Sequence, residues 1–323
     1  MSGDTRAGDL RIGLDIGGTK ILGAVIGPGG TVIAQAQQDT RPGPDGILAS
    51  ATAVLDLLAT RLDGTRLDGA GLNGTGLNSG PPTHIGIGIP GIVDRDRGAV
   101  SHAVNLGLGG DWFPLAARLA DRTGATVVVE NDLNAATWGA HVLSGADDMA
   151  YLALGTGLAA GYVLSGALRR GARGAAGEIG HVPVDPAGAL CSCGQRGCLE
   201  LIASGSALSA AWPATGAAPP AEALFAAAAA GDPAAVTARD RYAAGVAVAV
   251  RMVGLAVDPE AIIIGGGVTH VGEPLRAAVT AALRAQAATS PFLASLDLAS
   301  RVRLLPDRLP VGAIGAALIG NAG

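Results

Sequence analysis

The feature that most constrains this chain of 323 residues is a unit that recurs, an apolar strand running straight into a glycine turn. LRIGLDIGGTK (10–20), YLALGTG (151–157) and EAIIIGGGV (260–268) all have this form. In the first, Leu10, Ile12, Leu14 and Ile16 alternate with the period of two expected of a strand. ILGAVIG and TVIAQAQ read as two further strands joined by a hairpin turn at GPGG. Ile47, Leu48, Ala51, Leu55 and Leu58 fall at helical spacing within 45–62. TVVVEND (126–132) reads as a buried strand feeding a helix from Asn134, and 234–257 reads as helical. RVRLLP and VGAIGAALIG follow as a strand and a helix of small residues. Strands alternate with helices along the whole chain, which predicts an α/β fold.

Two stretches look passive. Residues 60–79 form four five-residue units, TRLDG, TRLDG, AGLNG and TGLNS, too few to bury a core, and read as a surface insertion. The alanine-rich tract 214–236 reads as a helix and its connecting loop.

The length suits two domains, and 49% apolar residues suit a packed core. No apolar run is long enough to span a bilayer, and residues 1–9 are too short and polar for a secretory signal. A cytoplasmic, reducing location is expected, with no membrane partner. The net charge of -5 without a basic cluster argues against nucleic acid as a partner. Only one basic residue is lysine, Lys20, and it lies between Thr19 and Ile21, so the chain holds no Walker A loop.

The only three cysteines fall within CSCGQRGC (191–198), and His181 lies ten residues before the first. Cys191 and Cys193 are badly spaced for a mutual disulfide, and the count is odd. His181, Cys191, Cys193 and Cys198 match a structural Cys₃His zinc site, with Gly194 and Gly197 allowing tight turns; three inert thiols under a loop are the competing reading. Such a site has no open position for substrate, so its role would be to fix neighbours, Glu178 and Glu200 above all.

Glycine turns let the backbone approach an anion closely. Two strand-and-turn units far apart in sequence therefore predict a cleft between two related halves. The literal G-x-G-x-x-G at Gly86, Gly88 and Gly91 lies inside an alternating strand and reads as small residues on one face, not as a dinucleotide site. Asp132 ends a strand at the edge where open α/β sheets place ligands. Its competing reading is a helix cap, which Asn131 or Asn134 could supply instead. Asp15 ends the first strand and is a candidate to hold a metal–nucleotide complex.

On these residues the chain resembles the ROK family of sugar kinases and sugar-responsive repressors. DIGGTK is similar to that family's first phosphate loop, LGTG to its second, IIIGGGV to its adenosine segment, VENDLNAA to its catalytic segment, and GEIGH with CSCGQRGCLE to its zinc signature. The resemblance implies a two-lobed actin-like (ribonuclease H-like) ATPase fold with an interlobe cleft and a structural zinc. The expected small lobe is 1–133 plus 305–323, and the large lobe 134–304. It implies ATP-dependent phosphorylation of a hexose at its 6-hydroxyl, most simply glucose, with an N-acetylhexosamine, fructose or a catalytically silent sugar-binding role as alternatives. Asp132 would be the general base. Asn105, Asn131, Asp132, Glu178, His181 and Glu200 would contact the sugar. Asp15, Gly17, Gly18, Thr19, Lys20, Gly155, Thr156, Gly157, Gly265, Gly266 and Gly267 would bind the nucleotide, with Mg²⁺ at Asp15. His181 would serve twice, one ring nitrogen on Zn²⁺ and one toward the sugar. A homo-oligomer, dimer or tetramer, is expected by the same analogy. Repressors of the family carry a DNA-binding segment before the first loop, and Asp15 comes too early here to leave room for one. One departure stands out: Ala159 and Ala160 occupy positions where the family has Gly-Gly, which could add Cβ atoms at positive φ or beside a phosphate.

Overall fold

The computed structural model describes residues 10–67, 83–213, 216–306 and 308–321. The chain packs as two units, 1–145 with 310–323, and 146–309. In chain order the first unit holds β1 (Arg11–Ile16), β2 (Lys20–Ile26), β3 (Val32–Asp39), α1 (Pro44–Leu67), β4 (His84–Ile89), β5 (Ile92–Asp94), β6 (Ala99–Ser101), α2 (Leu115–Thr123), β7 (Thr126–Asn131) and α3 (Asp132–Ser144). The second holds β8 (Met149–Leu154), β9 (Leu158–Leu164), β10 (Ala167–Leu168), α4 (Glu200–Ala203), α5 (Gly205–Ala211), α6 (Pro220–Ala229), α7 (Pro233–Val257), β11 (Ala261–Gly265), α8 (Glu273–Ala287), α9 (Pro291–Leu296), α10 (Leu298–Arg301) and β12 (Val302–Leu304). The chain then rejoins the first unit with α11 (Val311–Leu318).

The two main sheets have the same wiring. Their orders are β3-β2-β1-β4-β7 and β10-β9-β8-β11-β12. In each, the first three strands in sequence pair antiparallel and the last two join parallel. The sequence-level repetition of strand and glycine turn is thus a repetition of topology.

Within the first unit the strand alternation decides which layer each residue meets. Ile12, Leu14 and Ile16 of β1, with Ile85, Ile87 and Ile89 of β4, enter one core with Ile47, Leu48 and Leu58 of α1. The intervening residues face α11 and α3. There a Cβ on Gly13 would overlap the Ala313 carbonyl, and one on Gly86 would overlap that of Ala316. Gly315 stands in the same relation to the Ala135 carbonyl, and Gly139 to that of Val311. The glycines at 86 and 88 therefore serve helix packing, as their position within a strand suggested.

In the second unit β11 is buried along its whole length, which is why it reads as an unbroken apolar run. Ile262 and Ile264 share a core with Val246, Val250 and Val253 of α7 and Leu275, Val279 and Leu283 of α8. Helix α7 starts where Asp232 accepts from the amides of Ala234 and Ala235, with Pro233 at its first position.

Several expectations need correction. The unit boundary falls at 145/146 and not at 133/134, because glycine contacts hold α3 to α11. The second boundary lies at 309/310 and not at 304/305. Residues 60–67 continue α1 and do not start an insertion; 68–79 lie outside the described residues. Helix α3 opens at Asp132, two residues before the expected start. Helices α8 to α10 have no counterpart in the sequence-based expectations. In the alanine-rich tract, residues 214–215 lie outside the described residues, and 220–229 form α6.

The closeness of α11 to its neighbours gives a direct check. Gly315→Ala should lower unfolding free energy by about 1–3 kcal/mol, the usual cost of overpacking, measured by denaturant titration. An unchanged midpoint would show that the two helices can simply move apart.

Candidate functional site

The first unit gathers one set of groups at the carboxyl edge of its sheet. Asp15 stands at the end of β1 on the face toward α11, where a Cβ on Gly312 would lie 2.5 Å from its Oδ2. The loop after β1 is a tight turn in which the Gly17 amide donates to the Lys20 carbonyl at 3.0 Å. The end of β3 braces it: Thr40 donates from its amide to the Thr19 carbonyl (3.0 Å) and from Oγ1 to that of Gly17 (2.7 Å). Gly18, Thr19 and Lys20 remain exposed. Asn105, in the 3₁₀ turn Val104–Leu106, comes beside this loop, since a Cβ on Gly18 would lie 3.4 Å from Asn105 Cβ.

At the β7–α3 corner Asn131 is the helix cap. Its Oδ1 accepts from the amides of Leu133 (3.0 Å) and Asn134 (3.3 Å), and its Nδ2 donates to the Gly91 carbonyl at 3.4 Å. Asp132 accepts from the adjacent Leu133 amide at 2.9 Å. Asp132 also acts on Asp15. Burial first, and the Asp132 charge second, push the Asp15 carboxyl up to about 6, against an opposing pull from Lys20. The ionised form of Asp15 therefore weighs against the fold above about pH 6, and that penalty fades as pH falls from about 6 toward the ordinary carboxylate range.

The second unit carries a metal-ligand group. One donor atom each from His181, Cys191, Cys193 and Cys198 lie within 4.8 Å of one another. Cys191 Sγ is 3.8 Å from His181 Nδ1, and Cys193 Sγ is 3.6 Å from Cys198 Sγ. A tetrahedral zinc with bonds of about 2.3 Å needs ligand separations of about 3.8 Å, so the donor set fits that ion in type and spacing. The chain achieves this through a knuckle: the Cys191 amide donates to the Gln195 carbonyl (2.7 Å) and the Gly194 amide to that of Cys191 (2.9 Å). Gly194 and Gly197 have positive φ (90° and 67°), and a Cβ on Gly197 would also overlap the Asp185 carbonyl. Hydrogen bonds donated by the backbone and the side chain of Gln195 draw the exposed Cys193 thiol down to about 6, toward the thiolate a metal requires.

Glu200, at the start of α4, lies 3.6 Å from His181 Nδ1 and 3.2 Å from Cys191 Sγ through Oε1. Its Oε2 would be 3.1 Å from a Cβ on Gly157, so the same carboxylate touches the LGTG loop. Glu178 is exposed and opens the turn that carries His181.

A cavity of about 580 Å³ in this unit is lined by Gly155, Thr156, Gly205, Ser206, Ser209 and Gly267, with Leu208, Pro219 and Pro220. It joins two of the glycine turns singled out in the sequence. Gly265 and Gly266 have packing roles: the first faces the Tyr151 ring, and the second, with φ 92°, sits against the Leu154 backbone. Ser206, Ser209, Pro219 and Pro220 were missed; the SGSALS cap beside a Pro-Pro step was the available signal, and only contact with the LGTG loop gives it meaning. The Gly205 amide makes that contact, donating to the Gly155 carbonyl at 2.7 Å. Ala159 and Ala160 are ordinary residues of β9, paired with Ala153 and Leu152, and neither has positive φ. The Ala160 amide is bonded to the Gly177 carbonyl (2.8 Å), so the alanines impose no backbone strain.

Two units with one repeated strand order, acids and a glycine turn in the first, and a glycine-lined cavity with a Cys₃His group in the second, define a protein of the actin-like ATPase fold. The ROK family model matches residues 78–319. Glucokinase of Halalkalibacterium halodurans is 34% identical over 82% of this chain and 82% of its own length. N-acetylmannosamine kinase of Yersinia pseudotuberculosis is 34% identical over 80% of this chain and 82% of its own. The crystal structure of a ROK family glucokinase from Streptomyces griseus, in complex with glucose and AMPPNP, superposes with a TM-score of 0.74 at 31% identity, covering 97% of this chain and all of that one. The chain belongs to the ROK family.

If the Cys₃His group holds zinc, elemental analysis will find about one zinc per chain, and chelation will lower the melting temperature. Cys198→Ser should do the same without chelator. A protein that melts identically with and without metal would remove the zinc assignment.

Proposed function

We propose that this protein is an ATP-dependent hexose kinase with Asp132 as general base and glucose as its sugar. The observation that carries this reading is the β7–α3 corner, where Asn131 caps the helix and the Asp132 charge acts on Asp15 at the end of the strand that feeds the first glycine turn. In the reaction Asp132 accepts the proton of the sugar 6-hydroxyl as that oxygen attacks the γ-phosphorus of ATP, the bond from that phosphorus to the β–γ bridging oxygen breaks, and ADP leaves. Lys20 with the turn 17–20, and Gly155, Thr156 and Gly157, would hold phosphate oxygens, and Asp15 would hold a Mg²⁺ that neutralises charge there. Asn105, Glu178, His181 and Glu200 bind sugar hydroxyls. Asn131 we assign to the scaffold and not to the sugar, because both ends of its amide are already engaged. Adenosine is assigned to the cavity containing Ser206, Ser209 and Gly267.

Zinc would supply no chemistry to the transfer; its contribution is to hold His181 and, through it, Glu200. Three thiols kept as metal ligands suit a reducing compartment, and we place the protein in the cytoplasm. A catalytically silent sugar-binding role had its motivation in Ala159 and Ala160; their extended backbone without positive φ supports the kinase reading over it.

An ADP-release assay over glucose, N-acetylmannosamine, N-acetylglucosamine and fructose tests the reading. Glucose should give the highest kcat/KM, and Asp132→Asn should lower kcat about 10²–10⁴-fold while sugar binding persists. Absence of turnover with every sugar would end the kinase assignment. Full activity in Asp132→Asn would end the base assignment alone.

A further inference from the structure

Glu130 is a carboxylate in the middle of the candidate site's framework, only 2% exposed, that the proposed reaction does not use. Its Oε1 accepts from the Asn131 amide and from Asn134 Nδ2, both at 3.0 Å. Its Oε2 pairs with Arg95 Nε at 3.1 Å. Each partner is instructive. Asn131 and Asn134 frame Asp132 in the sequence. Arg95 lies in the tight turn between β5 and β6, closed by the Gly98 amide on the Arg95 carbonyl.

The segment that contains Arg95, from Gly91 to Phe113, is a single hydrogen-bonded body. β5 and β6 pair in register, Val100 and Phe113 exchange amide bonds at 3.0 and 2.9 Å, and His102 donates to the Gly109 carbonyl at 2.6 Å. Inside it the amides of Leu106 and Leu108 both close on the Ala103 carbonyl, and the tip of that turn is Asn105. At the start of the segment Gly91 has φ 104° and packs against Ser101, and its carbonyl receives Asn131 Nδ2. Arg95–Glu130 and Gly91–Asn131 are thus two ties between the body that carries Asn105 and the corner that carries Asp132.

We propose that Arg95 and Glu130 form a positioning pair that sets the Asn105 turn against the Asp132 corner, so that the sugar is gripped in register with its base. An ion pair on a buried carboxylate is a poor source of net stability but a directional one, because leaving that carboxylate without its cation is costly. An apolar contact at this place would allow the hairpin to slide; a guanidinium on a buried carboxylate does not. The proposal rests on the sugar-kinase reading for its consequence, but not for its geometry, and the two can be tested apart.

Arg95 is 38% exposed on its side chain, so Arg95→Met should fold. Hydrogen–deuterium exchange needs no substrate: in Arg95→Met, amides of 102–108 and 131–134 should exchange faster than in the parent, with the second unit unchanged. In kinetics the sugar KM should rise and kcat/KM for the sugar fall about 10–100-fold, the scale of a displacement near 1 Å, while the KM for ATP stays at the parent value. Arg95→Lys should recover part of both effects, since an ammonium can still reach the carboxylate but without the fork geometry. A lower melting temperature with unchanged exchange at 102–108 and an unchanged sugar KM would make the pair merely structural and overturn the proposal. A parent that phosphorylates no sugar would overturn the kinase reading instead, and the exchange result would still decide for or against the pair.

Discussion

The first unit depends on how closely α11 approaches its sheet. Gly13 and Gly86 on the strands, and the Gly139–Gly315 contact between α3 and α11, replace side-chain packing by backbone-to-backbone contact. No other residue gives that separation. Its consequence is chemical as well as structural: Asp15 shares the face of Gly13 and is pressed against Gly312, and α3, clamped to α11, presents Asp132 from the end of β7, two strands across the sheet. Asp15 is thereby held where burial first, and the Asp132 charge second, raise the cost of ionising it past the ordinary carboxylate range. A cation brought by a nucleotide would relieve that cost.

The second unit uses the same strand order for different work. Its glycine turns line a cavity, and in place of a second acid pair it carries a knuckle of three thiols and an imidazole. Glu200 links the two features, touching His181 and Cys191 with one oxygen and lying over Gly157 with the other. A metal in the knuckle would therefore act on the LGTG loop through one carboxylate. That arrangement gives a reason for all three cysteines of the chain to fall in one loop.

Much of this was legible in the sequence because it rests on local rules. Alternation announced β1 and β4, a buried apolar run announced β11, and Asn131 was readable as a cap that could free Asp132. The thiol and imidazole spacing carried the metal group. What stayed hidden depends on contacts between distant segments. Nothing in 132–144 says that it belongs with 311–318, since the reason is a pair of glycines 176 positions apart in the chain, at 139 and 315. The short β5–β6 hairpin has three-residue strands and no clear period, so Arg95 gave no sign of its partner. Leu275, Val279 and Leu283 do recur at helical spacing, and α8 could have been read from them.

The account turns on the claim that Asp15 and Asp132 are electrostatically one site. Site-resolved NMR titration of the Asp15 side-chain carboxyl, in the parent and in Asp132→Asn, tests this most directly. Asp15 should titrate near 6 in the parent and lower in the variant, yet remain above the ordinary carboxylate range because burial is the larger cause. An Asp15 that titrates as an ordinary carboxylate, or one indifferent to the charge at 132, would contradict it.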